Sequence, residues 1–178
     1  MVGFNVVATS QRGAEWRLLR LLRRFGNFTR SGFRDVVVGR VLSTERLLEE
    51  LLLLSEKAPS EVSPLSQVVP IRDTFVFNLD EILDRLRSTL LGYVDDLAGK
   101  RFYVRVMRRG HKGELSSLQI EQALDAFLKE ELPKKGVEPK IDFKDPDIIV
   151  VVETIGDIAG VGLITKEMKE RYPFIKIK

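Results

Sequence analysis

Apolar and polar positions change period several times along this chain, and each change predicts an element. Residues 4–8 form an apolar run broken only by Asn5, which predicts a buried strand stopping at Thr9 and Ser10. Between residues 14 and 25 the period lengthens. Trp16, Leu18, Leu19, Leu21, Leu22 and Phe25 form a broad stripe, and Arg17, Arg20, Arg23 and Arg24 cover the rest. This predicts a basic amphipathic helix that Thr9 or Ser10 can cap and Gly26 can end. Residues 28–30 and 33–42 then read as two strands around a Ser31-Gly32 link, the second rich in valine. Ser43 and Thr44 open a leucine-faced helix, ERLLEELLLLSEK, which Pro59 stops, and after a polar loop residues 68–71 form a short strand. Strand, helix, strand, strand, helix, strand is the order of a ferredoxin-like split unit. We place it at residues 1–72.

A second, mixed α/β domain is expected over residues 73–178, which makes the fold class α+β. Residues 72–78 suit either the last strand of the first domain or the first element of the next. Asn78 or Asp80 can cap a helix carrying Ile82, Leu83, Leu86, Leu90, Leu91 and Val94, which Gly99 closes. Next, Phe102, Val104 and Val106 alternate with Arg101, Tyr103, Arg105 and Met107, the period of a strand with one greasy and one basic face. Ser116 and Ser117 cap a further helix that ends at Pro133. Residues 148–152 are five β-branched aliphatics in succession, the signature of a central strand buried on both faces.

Charge distribution adds more than net charge does. The formal charge is only +3, with a pI near 9.2. Yet residues 11–40 hold eight arginines against Glu15 and Asp35, and residues 100–112 hold six Lys or Arg and no carboxylate. Such clusters repel themselves unless a polyanion or water relieves them, and arginine suits forked contacts to phosphate. With no cysteine there is no disulfide, thiolate zinc site or persulfide chemistry, and one histidine excludes a multi-histidine metal site. No metal and no cofactor are expected. The N-terminus lacks a signal-peptide pattern and no apolar run reaches the length of a membrane span, so the expected address is cytoplasmic with no membrane contact. The GDIAGVG cluster follows a strand but leads into no adequate helix, which disfavours a phosphate-cradling loop or a nucleotide-binding methyltransferase domain.

The second half resembles a THUMP domain, an RNA-binding module of tRNA-modifying proteins. The resemblance rests on FYVRVMRRGHK, the capped helix SSLQIEQALDAFL, and KIDFKDPDIIVVVETIGD, with the family pattern met at Phe102, Arg105, Ile141, Asp142, Phe143, Lys144, Pro146 and Asp147. The opening FNVVATSQRGAE is similar to THUMP proteins that serve as adaptors for tRNA cytidine acetylation, in which a ferredoxin-like domain precedes THUMP. The resemblance implies a non-catalytic protein that holds the acceptor end of tRNA and presents it to a partner enzyme such as an acetyltransferase. Arg105, Arg108, Arg109 and Lys112 are expected on phosphate, with Lys144 and Arg12 in secondary roles. His111 or Tyr103 could stack on an unpaired base, although Tyr103 equally suits cross-strand packing. The alternative is a scaffold whose basic helix and strand dock an acidic protein.

Overall fold

The computed structural model describes residues 2–178 and divides into two compact units. The first comprises the described residues up to Thr74 together with Glu167–Lys176, and the second Phe75–Lys166 with Ile177–Lys178.

In the first unit the chain runs β1 (Val6–Ser10), α1 (Glu15–Leu22), β2 (Asn27–Arg30), β3 (Val36–Arg40), α2 (Thr44–Lys57), a 3-10 turn (Pro59–Val62) and β4 (Leu65–Pro70). The four strands form one sheet in the order β2-β3-β1-β4, each neighbour antiparallel to the next. Leu18, Leu19 and Leu22 of α1 and Leu47, Leu48 and Leu51 of α2 supply the buried helical side of the core. Ser43 caps α2 as expected, its hydroxyl accepting from the Arg46 N–H at 3.1 Å. Neither Thr9 nor Ser10 caps α1, because a loop intervenes and Ala14 occupies the N-cap position without a side-chain bond. Gly26 does not end α1 either, since Arg23 is the C-cap. It is needed further along, where a Cβ would lie 2.5 Å from the Arg40 carbonyl oxygen.

β5 (Asp73–Val76) begins just before the boundary, and the second unit continues with α3 (Ile82–Leu91), α4 (Val94–Leu97), β6 (Arg101–Arg109), α5 (Ser117–Lys134), β7 (Lys140–Ile141), β8 (Ile148–Ile155) and β9 (Ile158–Thr165). Its sheet has the order β5-β9-β8-β6-β7. β8 is buried from end to end and sits centrally, parallel to β6 and antiparallel to β9. α5 provides the crossover that two parallel strands require. Phe102, Val104 and Val106 face the same core as Val150, Val152, Leu86, Leu124 and Leu128. The chain closes with α6 (Lys166–Arg171) and an extended tail. Within the first unit that tail offers the Phe174 carbonyl to the Val68 N–H of β4 at 2.9 Å. No helix among the described residues is long and apolar enough to cross a membrane.

Candidate nucleic-acid interface

The six positive charges of residues 100–112 have no carboxylate within that segment, but the fold supplies several from elsewhere. Arg101 is held by Asp145 and Asp147, each at 3.0 Å. Arg105 lies 3.4 Å from Glu121 of α5, gives its Nε–H to the Lys178 backbone oxygen at 2.5 Å, and places its guanidinium 5.2 Å from the Tyr103 ring centroid. Arg109 pairs with Glu153 of β8, whose side chain is wholly buried. Burial raises the Glu153 pKa, and the adjacent guanidinium opposes the rise. Three of the four β6 arginines are therefore paired with carboxylates, but only Arg109 is paired in the interior.

This corrects the expectation for Arg109. Its side chain is only 15% exposed and its charge is committed to Glu153, so it holds the sheet together instead of facing phosphate. Tyr103 is likewise buried, packed against Phe143 at 5.3 Å, which excludes it as a stacking platform. Arg105 stays partly exposed but shares its charge with Glu121. Arg108 folds back on its own turn, donating to the Gly110 carbonyl. His111 adopts a left-handed backbone, with Nε2 2.7 Å from Asp157 and its ring 5.7 Å from Phe77. Lys112 is exposed in that turn, and Lys144 is exposed in the loop that clips to the opposite end of β6 through the Asp142 N–H and Phe102 carbonyl. A nine-residue strand spans roughly 30 Å, so Lys112 and Lys144 belong to opposite ends of one unit. Arg12 is exposed in the first unit.

The loop carrying Lys144 is built to stay put. Hydrogen bonds from Arg101 hold Asp147 down to a pKa of about 2, and the Lys166 ammonium and Arg101 lower that of Asp145. Asp142 receives the backbone N–H groups of Asp145 and Lys144 at 3.0 and 2.9 Å, which lowers its pKa too. Phe143, absent from the sequence-derived site, is 64% exposed on this loop beside Lys144. An aromatic between two charged neighbours, Asp142 and Lys144, was the available signal.

The first unit presents a different kind of basic surface. Arg12, Arg17 and Arg20 are exposed, and among the described residues no carboxylate lies within ion-pair distance of any of them. Arg17, Arg20 and Arg24 line an open cleft of about 240 Å³ with Ser60, Glu61 and Ser63. Among the described residues no group of three or more His, Asp or Glu side chains is placed to hold a metal ion.

A five-stranded sheet of this order, with parallel β6 and β8 joined through α5 and the Asp142-Phe143-Lys144 loop bonded to the start of β6, defines a mixed α/β domain. Residues 77–163 match the family model of the THUMP domain, and the second unit is a THUMP domain. The chain is similar to the tRNA sulfurtransferase of Shewanella loihica, 33% identical over 89 residues that cover 50% of this chain and 17% of that protein. The fold is shared with PH1313 from Pyrococcus horikoshii, with a TM-score of 0.63, 14% identity, and 91% of this chain and 55% of that one covered. It is also shared with TrmN from Thermus thermophilus, with a TM-score of 0.63, 20% identity, and coverage of 89% and 44%. A 4-thiouridine synthetase solved with RNA and bound ATP gives a TM-score of 0.60 at 13% identity, covering 90% of this chain and 41% of that one. The chain thus spans about a sixth of its curated relative and about half or less of these solved chains.

Proposed function

We propose that this chain binds tRNA for a tRNA-modifying enzyme and contributes grip and orientation, not chemistry. The observation that carries the reading is the THUMP match over residues 77–163. Two relatives support it by what they are, a tRNA sulfurtransferase and a 4-thiouridine synthetase held with RNA. The strand order β2-β3-β1-β4 supports a ferredoxin-like reading of the first unit, the arrangement that the resemblance at residues 4–15 implies for adaptors of cytidine acetylation. On that reading the acceptor end is the tRNA element held, an acetyltransferase is the partner, and the cytoplasm is the address. The absence of cysteine supports a binding role over sulfur transfer. Recognition would run through backbone and shape, because A-form RNA hides its base edges in a deep groove. Lys112, Lys144, Arg108 and Arg12 are the cations offered to phosphate, with Arg105 as a shared one.

The test is binding of an unmodified tRNA transcript to the full chain across a salt series. Log affinity should fall linearly with log salt, by roughly one unit of slope per phosphate neutralised. Equal affinity for an acidic polypeptide would favour the scaffold alternative. Turnover of tRNA with an acetyl donor and no second protein would overturn the non-catalytic part.

A further inference from the structure

The surface of α1 combines two features that core packing does not explain. Its buried stripe is complete with Leu18, Leu19, Leu21 and Leu22, yet Trp16, the chain's only tryptophan, stands 61% exposed beside it. The indole has a fixed partner. Arg30 of β2 lies 4.8 Å from the Trp16 ring centroid, and Glu15, itself almost wholly buried, holds the Arg30 Nε–H at 2.7 Å. Because Glu15 fixes the guanidinium and the guanidinium braces the indole, the ring is ordered before anything binds. Arg17 follows Trp16 directly and Arg20 lies one helical turn on, three residues apart and, among the described residues, without carboxylate partners, a like-charge spacing that costs stability in a bare helix.

We propose that Trp16 is a stacking platform for an unpaired RNA base, with Arg17 and Arg20 on the adjoining phosphates. The inference rests on the RNA-binding reading and deepens it by assigning the single-stranded part of the ligand to the first unit. A flat indole accepts any base, since every base has a π-face. Cations within one turn of an exposed ring match a strand whose phosphates flank each base. A protein partner of acidic character would meet the charges but would leave the ring without a planar counterpart.

Because Trp16 is the only tryptophan, its emission reports this site alone. Titrating the full chain with single-stranded oligoadenylate should quench that emission saturably, and a blunt RNA duplex should not. Trp16→Ala should weaken oligoadenylate binding by about tenfold and leave duplex binding unchanged, while Trp16→Phe keeps most of the affinity. Replacing Arg17 and Arg20 by Gln should weaken both RNAs and flatten the salt dependence. If labelled oligoadenylate binds by anisotropy while Trp16 emission stays constant and Trp16→Ala matches the parent, the platform is wrong and the RNA reading stands. If no RNA binds, both fall. If polyglutamate quenches as strongly as oligoadenylate, the base assignment is overturned.

Discussion

Removing the Arg109 guanidinium would leave Glu153 inside the sheet with no counter-charge, and its Oε1 already lacks a hydrogen-bond partner. Arg109→Ala is therefore expected to cost about 3 kcal/mol or more in urea denaturation at neutral pH, far more than an exposed arginine should. The cost should shrink in acid as Glu153 takes up a proton. Asp125 on α5 makes a milder case. Burial raises its pKa to about 6, against the pull of the Val104 N–H. A raised carboxyl pKa means that the folded state binds the proton more tightly than the unfolded one, so the ionised group costs stability above pH 6. As pH falls through 6 toward 4 that penalty is lost. Asp125→Asn should then stabilise the protein by about 1 kcal/mol at pH 8 after allowing for screening, and by nothing at pH 3.5, read from thermal melts. Sequence showed Arg105 and Arg109 as charges on a strand, but not their ownership. Their partners lie 16 and 44 residues away, a distance at which only the folded sheet brings charges together.

At the scale of elements, β6 has a full partner on one side and a two-residue one, β7, on the other. The open side is answered by α5, whose Glu121 accepts the Val106 N–H at 2.8 Å. Glu121→Ala should cost about 1–3 kcal/mol and speed amide exchange at Val106, measured by NMR. In the first unit β3 approaches β2 so closely at Gly39 that a Cβ would fall 2.2 Å from the Phe28 ring. Gly39→Ala is expected to lose about 1–3 kcal/mol or more through forced repacking. Strong periodic elements were readable in advance: β8 from its β-branched run, α1 from its leucine stripe, α2 from Ser43. β7 pairs only through Arg101 with Lys140 and Phe102 with Ile141, too short a stretch for any period to show. α3 and α4 read as one helix because Ile82 to Val94 keep a helical period, whereas the backbone breaks at Gly92.

Across the whole molecule, the tail was legible only as basic and alternating, and its destination was not. Residues 167–176 belong with the first unit, where Arg171 clasps Glu49 at 2.5 and 2.8 Å and the Tyr172 hydroxyl donates to it at 2.6 Å. The Arg171 hydrogen bonds hold Glu49 at a pKa of about 2, so the clasp persists through mild acid and is lost only as pH falls toward that value. Ending the chain at Lys166 should expose the Val68 amide and lower hydrogen-exchange protection in β4, while the β6 and β8 amides keep most of theirs. The candidate site was half legible. Exposed cations such as Lys112 and Arg12 show in a sequence as charge, whereas burial of Tyr103 and exposure of Phe143 depend on which side of a sheet each one meets.

The two stretches that make up the first unit are separated by more than ninety residues that belong elsewhere. The first unit is closed only when residues 167–176 are made, and the second receives its own last residues, Ile177 and Lys178, later still. Each unit is thus completed across a piece of the other, and neither can be built from one continuous stretch of chain.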